Sequence, residues 1–169
     1  RRRKLKYHIA LKHPNHLSKL KDRNVQAQQQ QAPREDIWIL GEKLGATFHL
    51  PSCYSIDFHY RIGGQLTDNP HFWAFARRLA SELGEDDFIF CEGENLAIPM
   101  ATLCCGHSNR PKIAAHFHNM DRPRLKIALK LFKSVRSIDI AIVHCLSQYN
   151  FLQKYLNLSE SQIRFWWYP

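Results

Sequence analysis

The chain has 169 residues, 44% hydrophobic, 12% aromatic and 23% charged, the balance of a folded domain and not of a disordered or fibrous chain. Its length suits one mid-sized domain, no run approaches the ~20 uninterrupted apolar residues of a bilayer-spanning helix, and the basic N-terminus lacks a signal peptide's apolar segment. The net charge of +9 is concentrated, since residues 1–34 carry ten Lys/Arg against the one acid Asp22.

That asymmetry predicts a basic, Gln-rich arm over residues 1–32, which also carries the first strand and a mobile loop. The arm is either simply solvated or rests on an anionic neighbour such as membrane lipid. Nucleic acid is disfavoured as a partner, because no recognition module accompanies the basic residues.

Short β-type runs then alternate with helical ones, the pattern of βαβ units. Strands are predicted at residues 7–11, 47–50, 87–91, 112–117, 139–144 and 162–167. Helices are predicted at 34–44, bracketed by Pro33 and Gly45, and behind Pro70 up to Gly84. A third runs over 96–105 with Asn95 as cap. The fourth and longest runs from Asp121 through Val135, and a last one follows Ser147. The expected fold is α/β, a Rossmann-like three-layer αβα sandwich with a mostly parallel six-stranded sheet. Residues 33–169 and the first strand form this domain. The connections 13–32 and 51–69 are expected as long loops. The first is mobile through its Gln28–Gln31 tract, and the second carries Cys53, Tyr54 and the pair Gly63-Gly64, which suits either a turn or a close backbone approach to a ligand.

Five cysteines, Cys53, Cys91, Cys104, Cys105 and Cys145, have no CxxC spacing and suggest buried thiols in a reducing cytosol. There is no GxGxxG, no P-loop and no GxSxG elbow, which removes a classical dinucleotide site, a nucleotide-triphosphate site and a serine-hydrolase site.

Open α/β sheets bind ligands outside the carboxyl ends of their strands. That rim is predicted to hold Lys12, His13, His49, Glu92, Glu94, His116, His118, Asn119, His144 and Ser147. Strand alternation puts His116 and His118 on one side. Three roles suit the pair: a metal site completed by Asp121, His144 or Glu92, a structural cap of the strand end, or a polar contact with substrate. Glu92 and Glu94 flank Gly93, where they either accept hydroxyls of a sugar or simply favour a helix start.

Three segments resemble the N-terminal half of a GT-B glycosyltransferase of the large retaining family 4. They are the strand and acidic turn Asp87-Phe-Ile-Phe-Cys-Glu-Gly-Glu-Asn, the strand Ile113-Ala-Ala-His-Phe-His118, and the stretch from Ile138 through Ser147 and Leu158 to Ile163-Arg-Phe-Trp-Trp-Tyr-Pro169. The family often has a Gly-Gly turn after its first strand, where this chain has His13-Pro14-Asn15-His16. The resemblance implies transfer of a sugar from a nucleotide-sugar donor to a glycan, lipid or small-molecule hydroxyl, with retained configuration and without a bound metal or other cofactor. It implies that His118 contacts the transferred sugar as the catalytic residue, with His116, Asn119, Glu92 and Glu94 lining the acceptor side. Ser147 would offer a hydroxyl to a phosphate. The family's second, nucleotide-sugar-binding domain is not in this sequence, so the chain is expected to be the inactive first half of a longer cytoplasmic enzyme. The alternative expectation is a non-catalytic Rossmann-like ligand-binding module.

Overall fold

The computed structural model describes residues 5–33, 35–52, 55–67, 69–120 and 122–166. The chain runs β1 (Lys6–Ala10), α1 (His16–Gln28), α2 (Asp36–Leu44), β2 (Thr47–His49), α3 (Phe58–Thr67), α4 (Pro70–Glu82), β3 (Asp87–Cys91) and α5 (Glu94–Leu103). It continues through β4 (Lys112–His116), α6 (Pro123–Leu131), a 3₁₀ turn at Ser134–Ser137, β5 (Ile140–Val143), α7 (Leu146–Leu156), a second 3₁₀ turn and β6 (Ile163–Phe165).

The six strands form one sheet in the order β2-β1-β3-β4-β5-β6, and all five ladders are parallel. The apolar side chains of each strand alternate between two cores. On one face Ile89, Cys91, Ile113, Ala115, Ala141 and Val143 meet Phe75 and Leu79 of α4, Leu96 and Met100 of α5, Leu125 and Leu129 of α6 and Leu152 of α7. On the other, Ile9, Leu11, Phe90 and Ala114 meet Leu20 of α1 and Ile37, Trp38 and Leu40 of α2. The result is a Rossmann-like three-layer α/β sandwich.

Helix punctuation explains several boundaries. Asn69 Oδ1 accepts the His71 N–H, and Pro70 supplies the first turn of α4. Gly45 ends α2 at φ +60°, a left-handed backbone that suits a residue without Cβ.

The two predicted long loops are in fact helical. Residues 16–28 form α1 because Leu17, Leu20 and Asn24 share one face, and glutamine is a good helix former once that face is packed. Residues 58–67 form α3, and Gly63-Gly64 is neither a turn nor a ligand cradle. A Cβ on Gly63 would lie 2.7 Å from the Trp73 ring, and one on Gly64 would lie 2.5 Å from the Pro70 nitrogen. The pair therefore lets α3 lie directly on α4, an approach sealed by the Trp73 Nε1–H to Thr67 Oγ1 hydrogen bond of 2.8 Å.

The helix predicted through Val135 is shorter than expected. It stops at Leu131, and Lys133 turns left-handed at φ +51° before the 3₁₀ turn, so α6 is not the longest helix. The third predicted helix starts at Glu94 after Gly93, not behind Asn95, and α7 is capped by Cys145, not by Ser147. Cys91 and Cys104 are buried free thiols as expected, but Cys105 is half-buried and Cys145 is exposed. Arg1 to Lys4, Cys53, Tyr54, Asp121 and the final Trp167 to Pro169 lie outside the described residues.

Candidate functional site at the carboxyl rim of the sheet

β1 pairs with β2 on one side and with β3 on the other, while the chain returns from β2 to β3. This reversal makes the ends of β1 and β3 the topological switch point, where loops part and leave a crevice. An open cavity of about 500 Å³ lies there, lined among others by Lys12, His13, Ser52, Asn69, His71 and Asn95. Pro14, Pro51 and Phe72 also line it, so the cavity combines a mostly apolar wall with a few amide, hydroxyl, imidazole and ammonium groups.

The turn after β3 is held from inside. Glu92 Oε2 accepts the Lys12 backbone N–H at 2.9 Å and lies 3.1 Å from His16 Nδ1, a hydrogen-bonded ion pair when His16 is protonated. Glu94 Oε2 accepts the His118 backbone N–H at 2.9 Å. Both carboxylates are buried, at 7% and 6% exposure. These donors compensate their burial, and the N-terminus of α5 further favours the negative charge of Glu94. Gly93 between them has φ +95°, and a Cβ there would meet Lys12 Nζ at 2.9 Å, so the lysine stem lies across the turn.

Extending the sheet registers past the strand ends explains the next layer. Cys91 pairs with Ala115, His116 with Ile142 and Val143 with Phe165. Carried on along β4, β5 and β6, the level reads His118, His144 and Trp166, with Glu94 at the start of α5 reaching the His118 N–H. Because side chains alternate with period two, His116, His118 and His144 share one face.

Their rings are in contact. His116 Nε2 lies 2.6 Å from His144 Nε2, and the His116 and His118 ring centroids are 4.0 Å apart. His144 Nδ1–H donates to the Trp166 carbonyl at 3.0 Å, and the Trp166 indole stacks on His116 with centroids 5.2 Å apart and planes at 20°. Gln148 ties the two strand ends together: its Oε1 accepts the His144 N–H at 2.8 Å and its Nε2 donates to the His118 carbonyl at 2.9 Å.

Burial pushes the His116 pKa down to about 3, with further repulsion from His118, His144 and Lys12. The His118 pKa is also lowered, first by the covering of its ring and then by the Lys12 ammonium. His116 is thus an uncharged imidazole at neutral pH, able to donate from one nitrogen and accept at the other.

Of the residues singled out from sequence, His116, His118 and Glu94 converge with His144. Glu92 belongs to the neighbouring β1 turn, one of its oxygens committed to Lys12 and His16. Asn119 is exposed beside His118. Ser147 stands on the exposed first turn of α7, its Oγ 3.0 Å from Cys145 Sγ. Sequence reasoning missed Gln148 and Trp166. For Gln148 a local signal existed, an amide side chain four residues after a strand-end histidine and just inside a helix.

No protein-family model matches this chain, and no curated protein matches it either. Among the described residues no helix is long and apolar enough to cross a membrane.

Proposed function

We propose that this domain is the acceptor-side half of a retaining glycosyltransferase of the GT-B type. The observation that carries this reading is His118, at the end of β4 with its backbone bracketed by the buried Glu94 and by Gln148, on the same rim as the open cavity at the switch point. In this reading the cavity holds the acceptor by its hydroxyls. The His118 imidazole accepts or donates a hydrogen bond at the sugar being transferred, with Asn119 beside it. Glu92 and Glu94 shape the turn on the acceptor side rather than acting as an acid/base pair. The nucleotide-sugar is a substrate, brought by a second domain, and the transfer needs no resident metal. A basic N-terminal segment would add peripheral contact with anionic lipid.

The test is turnover of the complete protein with a panel of nucleotide-sugar donors. His118→Ala is expected to lower turnover at least tenfold, roughly 1.4 kcal/mol of transition-state stabilisation. Unchanged turnover in this variant removes His118 from the site. Sugar binding to the cavity without any transfer favours the non-catalytic ligand-binding module instead.

A further inference from the structure

Each of His116, His118 and His144 presents one ring nitrogen such that the three nitrogens lie within 4.8 Å of one another. Three imidazoles gathered in this way make a ligand set for a borderline-soft divalent cation, not for magnesium or calcium, which prefer oxygen.

One further observation points to a ligand, the proton accounting of the pair at 2.6 Å. His144 Nδ1 gives its hydrogen to the Trp166 carbonyl, which leaves the Nε2 lone pair turned to His116. Such an outer hydrogen bond to a carbonyl is the arrangement that orients metal-ligating histidines. A metal held by the two Nε2 atoms places the His116 hydrogen on Nδ1, which is buried and has no hydrogen-bond partner among the described residues, so this donor opposes loading.

The surroundings fit a three-coordinate protein site with an open position. His116 is fixed by the stacked Trp166, His144 is half-buried, and His118 is exposed. Tetrahedral zinc with bonds of about 2.0–2.1 Å needs its nitrogens roughly 3.3 Å apart. The His116–His144 pair would therefore open slightly on loading. The Lys12 ammonium opposes a cation here, and the Glu92 and Glu94 carboxylates on the same rim offset it.

We propose that His116, His118 and His144 bind one divalent transition-metal ion of the zinc class, leaving its fourth position open to solvent. The binding stands independently of the glycosyltransferase reading. Where that reading holds as well, the metal takes the His118 lone pair and competes with the sugar contact, so loading inhibits transfer.

The experiment uses the whole chain, stripped with chelator, titrated with Zn²⁺ by calorimetry and with Co²⁺ by visible absorption. The expected result is one ion per chain, a four-coordinate cobalt spectrum, and at least a tenfold loss of affinity in His118→Ala and in His144→Ala. The double variant His59→Ala/His107→Ala, two exposed histidines elsewhere, should bind as the parent does. If His144→Ala does not fold, His118→Ala decides alone, since that ring is exposed and its loss leaves no buried gap. Absence of binding at millimolar metal, or binding that His118→Ala leaves unchanged, overturns the proposal whatever the transfer assay reports.

Discussion

Two groups of histidines occupy opposite faces of the same sheet, and they are wired differently. On the α4 side, His8 Nε2 lies 3.0 Å from Asp87 Oδ1 and His8 Nδ1 lies 2.9 Å from His49 Nε2. Asp87 accepts only, so His8 donates to it and accepts from His49, and both His8 nitrogens are used. On the other face, His116 Nε2 faces His144 Nε2, and His144 Nδ1 donates to the Trp166 carbonyl. The buried His116 Nδ1 has no partner among the described residues. A chain of imidazoles ended by a carboxylate is saturated and holds strands together. One ended by a backbone carbonyl keeps a lone pair on the inner nitrogen, which is what a ligand site requires.

Acidification should separate the two groups most strongly. His116 ionises in the folded protein only near pH 3, whereas an unfolded chain takes up the proton near the ordinary 6.5. Stability from this group is therefore full above pH 6.5 and declines as pH falls toward 3, by about 1.4 kcal/mol per pH unit. His49, lowered by burial and by His8, adds a smaller share in the same direction. Asp87 is also partly buried, which works against its charge, but the Gly84 N–H and His8 outweigh this and hold its pKa below the usual carboxylate value. Its contribution is present above about pH 4 and is lost only below that. Urea midpoints measured from pH 8 to pH 3 should thus slope below pH 6.5, and His116→Leu should flatten most of that slope. An unaltered slope in His116→Leu would assign it to the other face.

Next in size is the bracket around the rim. Glu94→Ala strands the His118 N–H in a partly buried place and should cost about 1–3 kcal/mol. Gln148→Ala breaks two bonds at once and should cost about 1–2 kcal/mol by urea denaturation, while also weakening Zn²⁺ binding by loosening His144 relative to His118. The smallest expected effect is Asp87→Asn. It removes the charge but keeps an acceptor, so about 1 kcal/mol is expected, with metal affinity unchanged. A loss of Zn²⁺ binding in Asp87→Asn would erase the distinction between the two faces.

The residues that pattern reasoning could find are those whose environment is local. The end of β4 was legible because His-Phe-His alternates at the close of an apolar strand, and Glu94 was legible beside Gly93 in an acidic turn. α1 was misread because its packing face holds only Leu17, Leu20 and Asn24, too weak a stripe beside the Gln-rich tract to outweigh its polarity. Gly63-Gly64 was misread because the pair's purpose is a contact with Trp73 and Pro70, which no local rule anticipates. Gln148 and Trp166 were missed for the same reason, since each acts on a residue from another strand.

By itself the sequence determined that this chain alternates strands and helices and builds a parallel sheet, because hydrophobic periodicity and helix punctuation are properties of neighbouring residues. It also determined that imidazoles and carboxylates collect at strand ends. Only the tertiary structure decided which of them meet. The pairing registers of β4, β5 and β6 set His118, His144 and Trp166 at one level, and register depends on contacts between residues far apart in the chain.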